Sequence, residues 1–233
     1  MYRIAGEGAP HDAMLVATDA WKAAFPGAAA GVLVLRDVAN PPHAAALEAR
    51  KRELEQTLRN ADPSDNAARV LGAYDDYYRA HGQTYHVRAQ RASVAVKGKP
   101  IPSRAALVEA MFMAELASCV LTAGHDLSAL EPPLTIDVTQ RGDTYVLLNG
   151  KTAELRDGDM KMADGRGIVS SILRGPDDRT RITPQTRDVV FAAYAAPGID
   201  ARVVERHLGD LRANVLLIAP DARTETLATV TAD

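Results

Sequence analysis

A chain of 233 residues with a formal net charge of -3 at pH 7 does not favour a strongly basic nucleic-acid-binding surface. Its composition, 47% hydrophobic and 24% charged, excludes an intrinsically disordered chain. The single cysteine, Cys119, excludes an intrachain disulfide, and its apolar neighbours indicate a buried thiol. The first residues lack a signal-peptide pattern, and no apolar run approaches the ~20 residues of a membrane span, so we expect a cytoplasmic protein without membrane contacts.

The first half of the chain has the apolar spacing of one buried strand and several helices. The continuous apolar run over 31–35 is typical of a buried strand. Leucines at helical spacing predict a helix over 44–59. A loop and N-cap over 62–66 precede a second predicted helix, which closes at Gly82.

The next predicted helix leads directly into a candidate site. It spans 106–116 and is strongly apolar. Gly124 is predicted to end it in the left-handed conformation that glycine adopts readily. This interpretation places His125 and Asp126 at a helix exit, a position that often faces a cleft.

The second half consists mainly of strand-length apolar segments separated by turn sequences. These segments are 134–138, 145–148, 167–173 and 188–194. A last helix over 200–212 is expected to lead into a strand over 215–219, and the tail from 223 onwards is weakly specified. Because helices come mostly first and strands mostly afterwards, the pattern predicts an α+β domain and not an alternating parallel fold.

The adjacent histidine and aspartate form the sharpest chemical signal. Imidazole titrates near neutral pH and a carboxylate raises its basicity, so His125 and Asp126 are candidate proton-transfer residues. Adjacent side chains rarely hydrogen-bond each other directly, so Asp177 or Asp178 is an alternative partner for the histidine. The competing interpretation is that His125 and Asp126 cap the neighbouring helix and turn.

The polar loop over 175–181 is a second candidate region. Asp177 is suited to meet an amino or hydroxyl group, and Arg179 to hold a carboxylate or phosphate. The alternative is a hairpin loop with a solvated ion pair. Ser170 and Ser171, on the preceding strand, are candidates for a hydroxyl pair in a pocket wall, without the nucleophile elbow that serine catalysis uses.

Four basic residues, Arg88, Arg91, Lys97 and Lys99, are the best candidates for RNA contacts, and several tyrosines lie near them in sequence. The alternative is a solvated basic face beside half-buried tyrosines. The histidines have no metal-ligand spacing, and the chain has no phosphate loop or dinucleotide fingerprint. We therefore expect no metal and no other cofactor.

Short motifs in a characteristic order follow the apolar helix. They are Pro132-Pro133 before Ile136-Asp137, then Asn149-Gly150, Asp157-Gly158-Asp159, Gly175-Pro176-Asp177-Asp178, and Thr186 before Val189-Val190. This order resembles, over 65–200, the editing domain of the phenylalanyl-tRNA synthetase beta subunit in a stand-alone form. The resemblance implies a layered α+β domain with a β-sandwich and a pocket that hydrolyses tyrosine wrongly attached to the phenylalanine tRNA. Residues 1–64 would form a strand–helix extension packed on it, in a single domain over 1–233.

The resemblance also assigns pocket positions. The family's asparagine falls on Ala123, after Thr122, and its histidine falls on Leu134. The family's glutamate, which meets the tyrosine hydroxyl, aligns near Asp177. A site that recognises a hydroxyl group discriminates strongly only while its polar partners are present, so we expect ordinary tyrosine editing to be lost.

The leading functional expectation is hydrolysis of a mischarged aminoacyl-tRNA or of a related aminoacyl ester or amide. In that scheme Asp177 recognises the substrate, His125 positions water, and Asp126 orients the imidazole. The alternative is a binding module that holds an amino-acid-like small molecule or a tRNA end without chemistry. A weaker third hypothesis is a structural partner of a synthetase or a tRNA. DNA is not an expected partner.

Overall fold

The computed structural model describes residues 13–60 and 65–233 as a mixed α+β protein with several sheets. Within these ranges lie six α-helices: α1 (Asp19–Ala24), α2 (Ala45–Asn60), α3 (Asp65–Ala80), α4 (His86–Ala95), α5 (Ala106–Ser118) and α6 (Ala201–Leu216). The described strands are β1 (Leu15–Ala17), β2 (Ala29–Arg36), β3 (Leu121–Asp126), β4 (Leu134–Val138), β5 (Thr144–Val146), β6 (Thr152–Glu154), β7 (Met160–Asp164), β8 (Gly167–Ser171), β9 (Gly175–Pro176), β10 (Val189–Ala195) and β11 (Arg223–Thr231).

A four-stranded antiparallel sheet in the order β11-β2-β10-β3 carries the most apolar strands. All seven residues of β10 and the first seven of β2 are buried, which explains their continuous apolar sequences. Helix α6 packs across this sheet and against α5. The approach is close at Gly31, where an added Cβ would lie 2.8 Å from Val204 Cγ1 and 2.9 Å from Leu208 Cδ1.

A second sheet has five strands in the order β1-β4-β7-β8-β9. Its β1–β4 pair is parallel and sets Leu15 opposite Leu134, whereas its other pairs are antiparallel. Strands β5 and β6 form a separate two-stranded ribbon.

Helices α3 and α4 are attached to the end of α5 through tyrosines. The rings of Tyr74 and Tyr85 stack with centroids 4.5 Å apart. The Tyr85 hydroxyl donates to the Cys119 carbonyl at 2.8 Å, and the Tyr74 hydroxyl donates to the Tyr194 carbonyl of β10. The same Tyr74 oxygen accepts from the Leu121 amide at 3.0 Å. These bonds hold the junction between α5 and β3.

The prediction of a mixed α+β chain with its helices mostly first is confirmed, since five of the six described helices precede residue 119. The strand at 134–138 and the helix at 44–59 lie where the sequence predicts them, within one residue. None of the described helices is long and apolar enough to cross a membrane.

The predicted helix end at Gly124 is wrong. Helix α5 ends at Cys119, which itself adopts the left-handed conformation with φ 64°, and residues 121–126 form β3. Gly124 lies inside that strand, where an added Cβ would be 2.7 Å from Ile182 Cδ1. The glycine therefore serves close packing and not helix termination, and His125 and Asp126 end a strand instead of following a helix.

The C-terminal predictions also need correction. Residues 215 and 216 belong to α6 and no strand covers 215–219, because α6 continues past 212 with Val215 on its buried face. The tail is not weakly specified: β11 is nine residues long and pairs with β2 on both sides of a bulge between Thr224 and Thr226. Most of the predicted N-cap over 62–66 lies outside the described residues.

Candidate functional site

A cleft of about 340 Å³ opens between the end of α5, strand β3 and the β8–β9 turn, with α3 and α4 along one side. This volume lies within the range of roughly 300–1,000 Å³ that is usual for small-molecule sites. The lining residues are Tyr78, His86, Glu115, Leu121, Thr122, Ala123, Ser171, Ile172, Leu173, Arg174, Gly175, Pro176 and Tyr194.

Glu115, in the last turn of α5, is the cleft's buried acid, with a relative exposure of 6%. Its Oε1 accepts a hydrogen bond from the Thr122 amide at 2.8 Å. Among the described residues no group hydrogen-bonds to Oε2, and no cation pairs with the carboxyl. Burial raises the pKa of Glu115 to about 8, against the smaller lowering effect of the Thr122 amide. The group is therefore mostly protonated at neutral pH.

Two tyrosines line the cleft with their hydroxyl groups already occupied. Tyr78 donates to the Ile172 carbonyl at 2.8 Å, and Tyr194 shares a hydrogen bond with Ser170. Burial raises the pKa of both phenols well above the ordinary value, so they remain neutral. Their rings, and not their hydroxyl groups, are what a ligand would contact.

Ser171, at the end of β8, lines the cleft, but its hydroxyl is buried. Its Oγ has no hydrogen bond of good geometry within the described part of the chain. The Asp159 carboxyl and the Tyr145 hydroxyl are close enough for the serine to lower the pKa of each. The Ser171 hydroxyl therefore interacts with these two groups, and Glu115 Oε2 is the atom of the cleft wall with unused hydrogen-bonding capacity.

Two exposed residues stand at its mouth. His86 begins α4, and desolvation by the surrounding protein lowers the pKa of its imidazole. Arg174 lies in the turn between β8 and β9, and no described carboxylate forms an ion pair with it. A free guanidinium beside a cleft is suited to a carboxylate or a phosphate.

His125 lies outside this cleft, in a closed polar network. It is 0% exposed, and its Nδ1 is 2.7 Å from Thr180 Oγ1. Because the Thr180 hydroxyl donates to the Asp177 carboxylate, Nδ1–H of His125 must be the donor to Thr180. Desolvation lowers the pKa of His125 to about 4, so the imidazole is neutral at physiological pH. The structure joins His125 to Asp177 through one threonine and exposes neither of them to the cleft.

Asp126 performs the capping that the competing interpretation describes. Its Oδ1 accepts from the Ser128 amide at 2.9 Å, which caps the short 3-10 turn Leu127–Ala129. Its Oδ2 accepts from the Thr186 hydroxyl at 2.6 Å. Both carboxylate oxygens are used, and neither contacts His125.

The charged residues of the 175–181 loop are paired within the protein. Asp177 is 3% exposed, and burial raises the pKa of its carboxyl. Arg179 makes two hydrogen bonds to Asp164, at 2.8 and 3.0 Å. Asp178 forms an exposed ion pair with Arg181. The guanidinium of Arg179 is therefore occupied by an internal carboxylate.

The four remaining positions named for substrate contact lie in three different places. Ala123 and Ser171 line the cleft. Ser170 belongs to the closed network, where its Oγ contacts Tyr194 and lies 3.5 Å from His125 Nε2. Leu134 is 0% exposed and packs in the five-stranded sheet opposite Leu15, away from the cleft.

The candidate RNA-binding residues lie on or just beyond α4. Arg91 donates to the carbonyl groups of Leu116 and Ala117, which closes the C-terminal end of α5. Arg88 forms an ion pair with Asp75. Lys97 and Lys99 are exposed beyond the helix. In the described ranges no group of three or more histidine, cysteine or acidic side chains could hold a metal ion.

Glu115, His86 and Arg174 are absent from the sequence-based candidates. Glu115 carries a readable signal, because it is a charged residue in a helix whose other side chains, apart from Glu109 and Ser118, are apolar. His86 and Arg174 carry no comparable signal, since each is an ordinary polar residue near a turn.

No protein-family model matches the chain, and no curated protein matches it. The class that the fold defines is a mixed α+β protein with several sheets. Its structure is similar to that of an N-terminal fragment of the phenylalanyl-tRNA synthetase beta-subunit from Pyrococcus horikoshii, with a TM-score of 0.50 and 8% sequence identity. The similarity covers 96% of this chain and 56% of that fragment, so this chain spans about half of the fragment's length. At this identity the similarity concerns the fold alone.

Proposed function

We propose that this protein binds an amino-acid-like small molecule in the Glu115 cleft. The observation that carries the proposal is a small-molecule-sized cleft lined by the largely buried Glu115, whose Oε2 has no hydrogen-bond partner among the described residues. Unused polar groups in a concave, partly aromatic site are typical of ligand recognition. Arg174 at the mouth is available for a terminal carboxylate or an attached phosphate.

The fold supports an aminoacyl ligand in particular. We propose that residues 65–200 form a stand-alone relative of the synthetase editing domain, including its β-sandwich, with 1–64 as an extension of one cytoplasmic domain. The fold similarity to a synthetase beta-subunit fragment supports this relationship. Ala123, where the family has asparagine, lies in the wall of the cleft.

Filling the cleft tests the proposal. Phenylalaninamide, leucinamide and alaninamide are titrated into the wild-type protein and into the Ala123→Leu variant, with binding measured by calorimetry. The larger side chain occupies ligand volume, so we expect at least tenfold weaker binding. Ala117→Leu, on the exposed face near the end of α5, is the matched control and should bind like the wild type. Absence of binding to the wild type for every amide contradicts the proposal.

Hydrolysis of an aminoacyl ester, including a mischarged aminoacyl-tRNA, is the second candidate. It is favoured by the pKa of Glu115, about 8, since an acid–base group works best when its pKa is near the operating pH. The Glu115 carboxylate would take a proton from the attacking water and return it to the departing ribose hydroxyl. Lys97 and Lys99 would contact the RNA backbone.

A deacylation assay over a panel of mischarged tRNAs separates the two candidates. Hydrolysis predicts release of the amino acid by the wild type, slower release by Lys97→Ala because one contact to the RNA backbone is lost, and loss of activity in Glu115→Gln. His125→Ala should retain activity if its fold is intact, because His125 does not face the cleft. Binding of amides without any deacylation leaves the non-catalytic function.

A further inference from the structure

The chemical identity of the group that meets Glu115 follows from the charges around it. Glu115 is almost completely buried at the end of α5, and within the described residues its carboxyl accepts one hydrogen bond, from the neutral Thr122 amide. A buried carboxyl is ordinarily paired with a cation or surrounded by several donors. The unsatisfied Oε2 therefore marks a position where a cationic or donor group of a ligand fits.

The groups that face Glu115 from neighbouring elements supply no compensating charge. They are Tyr74 and Tyr78 of α3, Tyr85 and His86 at the start of α4, Cys119 at the end of α5, His207 of α6 beyond Thr122, and Tyr194 of β10. The tyrosines and the thiol are neutral at physiological pH because burial raises the pKa of each. His86 and His207 are neutral because desolvation lowers the pKa of each imidazole.

The nearby arginines are directed elsewhere. Arg91 is bound to the last carbonyl groups of α5, and Arg174 lies on the exposed turn at the mouth. Neither forms an ion pair with Glu115. The inner wall of the cleft thus has one potential negative charge and aromatic rings, which together suit a small cation.

We infer that Glu115 is the specificity-determining residue for a protonated primary amine, so that the ligand is an aminoacyl compound with a free α-ammonium group and not an N-acylated one. The inference rests on the proposed function and names the ligand's recognised group. The ammonium donates to Glu115 Oε2, and the aromatic rings of Tyr78 and Tyr194 lie beside it. An N-acyl group removes the charge and two donors.

Binding of an ammonium group requires Glu115 to ionise. A cation beside the carboxyl favours its charged form and lowers its pKa, so the proton that Glu115 holds in the free protein is released to the buffer. The α-amine is already protonated at about pH 6.5, because its ordinary pKa lies near 8. In total, one protonated carboxyl and one ammonium group form one ion pair and release one proton.

Calorimetry with phenylalaninamide and N-acetyl-phenylalaninamide at about pH 6.5, in buffers of different ionisation enthalpy, tests the inference. We expect the acetylated amide to bind at least about tenfold more weakly and the free amine to release close to one proton. Glu115→Gln should abolish both the preference and the proton release. Glu53→Gln, on the exposed face of α2, is the control for the loss of one carboxyl and should change neither.

Equal affinity for the two amides would overturn amine recognition while leaving small-molecule binding intact. No binding by either amide would overturn both proposals. Release of no proton by the wild type, with tight binding of the amine, would also overturn the role of Glu115, and this result does not depend on any variant folding. Should Glu115→Gln be misfolded, Glu115→Asp keeps the charge, moves it away by one methylene, and should weaken amine binding with proton release retained.

Discussion

Two buried polar regions meet along β3, and they differ in whether their hydrogen bonds are complete. Around His125, donors and acceptors from Thr180, Asp177 and Ser170 pair with one another and are sealed from solvent. Around Glu115, the carboxyl oxygen Oε2 has no hydrogen-bond partner among the described residues. Burial of an ionisable group therefore does not by itself indicate a binding site in this protein. Unused hydrogen-bonding capacity distinguishes the candidate site from the closed network.

The same contrast occurs within α5. Glu109, 3% exposed, accepts from Lys51 Nζ at 2.9 Å and ties α5 to α2. Glu115, two turns later, has no cation within its reach. One helix thus carries a structural carboxylate whose charge is compensated and a carboxyl whose charge is not.

The largest expected effect is on the pH dependence of stability. The pKa of Glu115 is raised from 4.5 to about 8 in the folded protein, so between these values the folded state holds a proton that the unfolded state releases. Stability from this group is complete below pH 4.5, falls as pH rises to about 8 and is constant above it, a total of about 3–5 kcal/mol.

Urea unfolding of the wild type and of Glu115→Gln over this pH range measures the effect as a difference. Subtraction removes the contributions of His125 and His207, whose lowered pKa values give stability that is present above pH 6.5 and lost towards about 4. Parallel pH profiles for the two proteins would show that Glu115 is not buried in an uncompensated state.

Breaking the hydrogen bonds around His125 should lower the stability of the protein without changing its affinity for a ligand in the cleft. Thr180→Val keeps the shape of the side chain, leaves the His125 donor without its partner and removes the hydroxyl donor to Asp177, which keeps the Thr180 amide. We expect the free energy of unfolding to fall by about 2–4 kcal/mol. Thr57→Val, whose exposed hydroxyl bonds only to its own helix, should change it by less than about 0.5 kcal/mol. A marked loss of amide affinity in Thr180→Val would contradict the separation of the two regions.

The packing of β3 between the regions gives a smaller effect. Gly124→Ala places a Cβ against the end of the Ile182 side chain, and we expect a loss of about 1–2 kcal/mol. Adding Ile182→Val should restore part of that loss in a double-mutant cycle. Gly72→Ala, in α3 with no atom near the new Cβ, should instead stabilise the protein by about 0.5–1 kcal/mol. Thermal unfolding compares the wild type, the two single variants and the double variant of the cycle, and Gly72→Ala. Additive effects of Gly124→Ala and Ile182→Val would disprove the contact.

The smallest effect on stability is expected at the mouth of the cleft. Arg174→Ala removes an exposed side chain without an ion pair and should change the free energy of unfolding by less than about 0.5 kcal/mol. It should weaken binding of phenylalanine, which has a carboxylate, more than binding of phenylalaninamide. Equal weakening of both ligands, measured by calorimetry, would exclude a contact between Arg174 and the carboxylate.

The elements that can be predicted from the sequence are those that depend on local apolar spacing. The strand over 134–138, in which apolar and polar residues alternate up to Val138, and the leucine-spaced α2 could be predicted because burial dictates their residue types. The ends of helices are harder to predict. Cys119 adopts the left-handed conformation that glycine usually adopts, and Gly124 is required by close packing against Ile182, which is distant in sequence. Position alone could identify neither exception.

The candidate site depended even more on distant contacts. His125 looked reactive beside Asp126, but long-range partners, Thr180 for one and Thr186 for the other, decide what each side chain does. Ala123 and Ser171 line the cleft because β3 and the end of β8 lie beside the end of α5. Only a charge in an apolar helix could have pointed to Glu115, and the paired Glu109 gives the same signal without lining the cleft.

Cys119, the left-handed residue at the end of α5, has a buried thiol whose reactivity reports local opening of the protein. The thiol is 0% exposed, burial raises its pKa, and it lies one turn beyond Glu115. A thiol-reactive dye can label it only when the end of α5 separates from β3 and the tyrosines. The labelling rate of the native protein is therefore a direct readout of how often the wall of the cleft opens, and a bound ligand that bridges this wall should slow it.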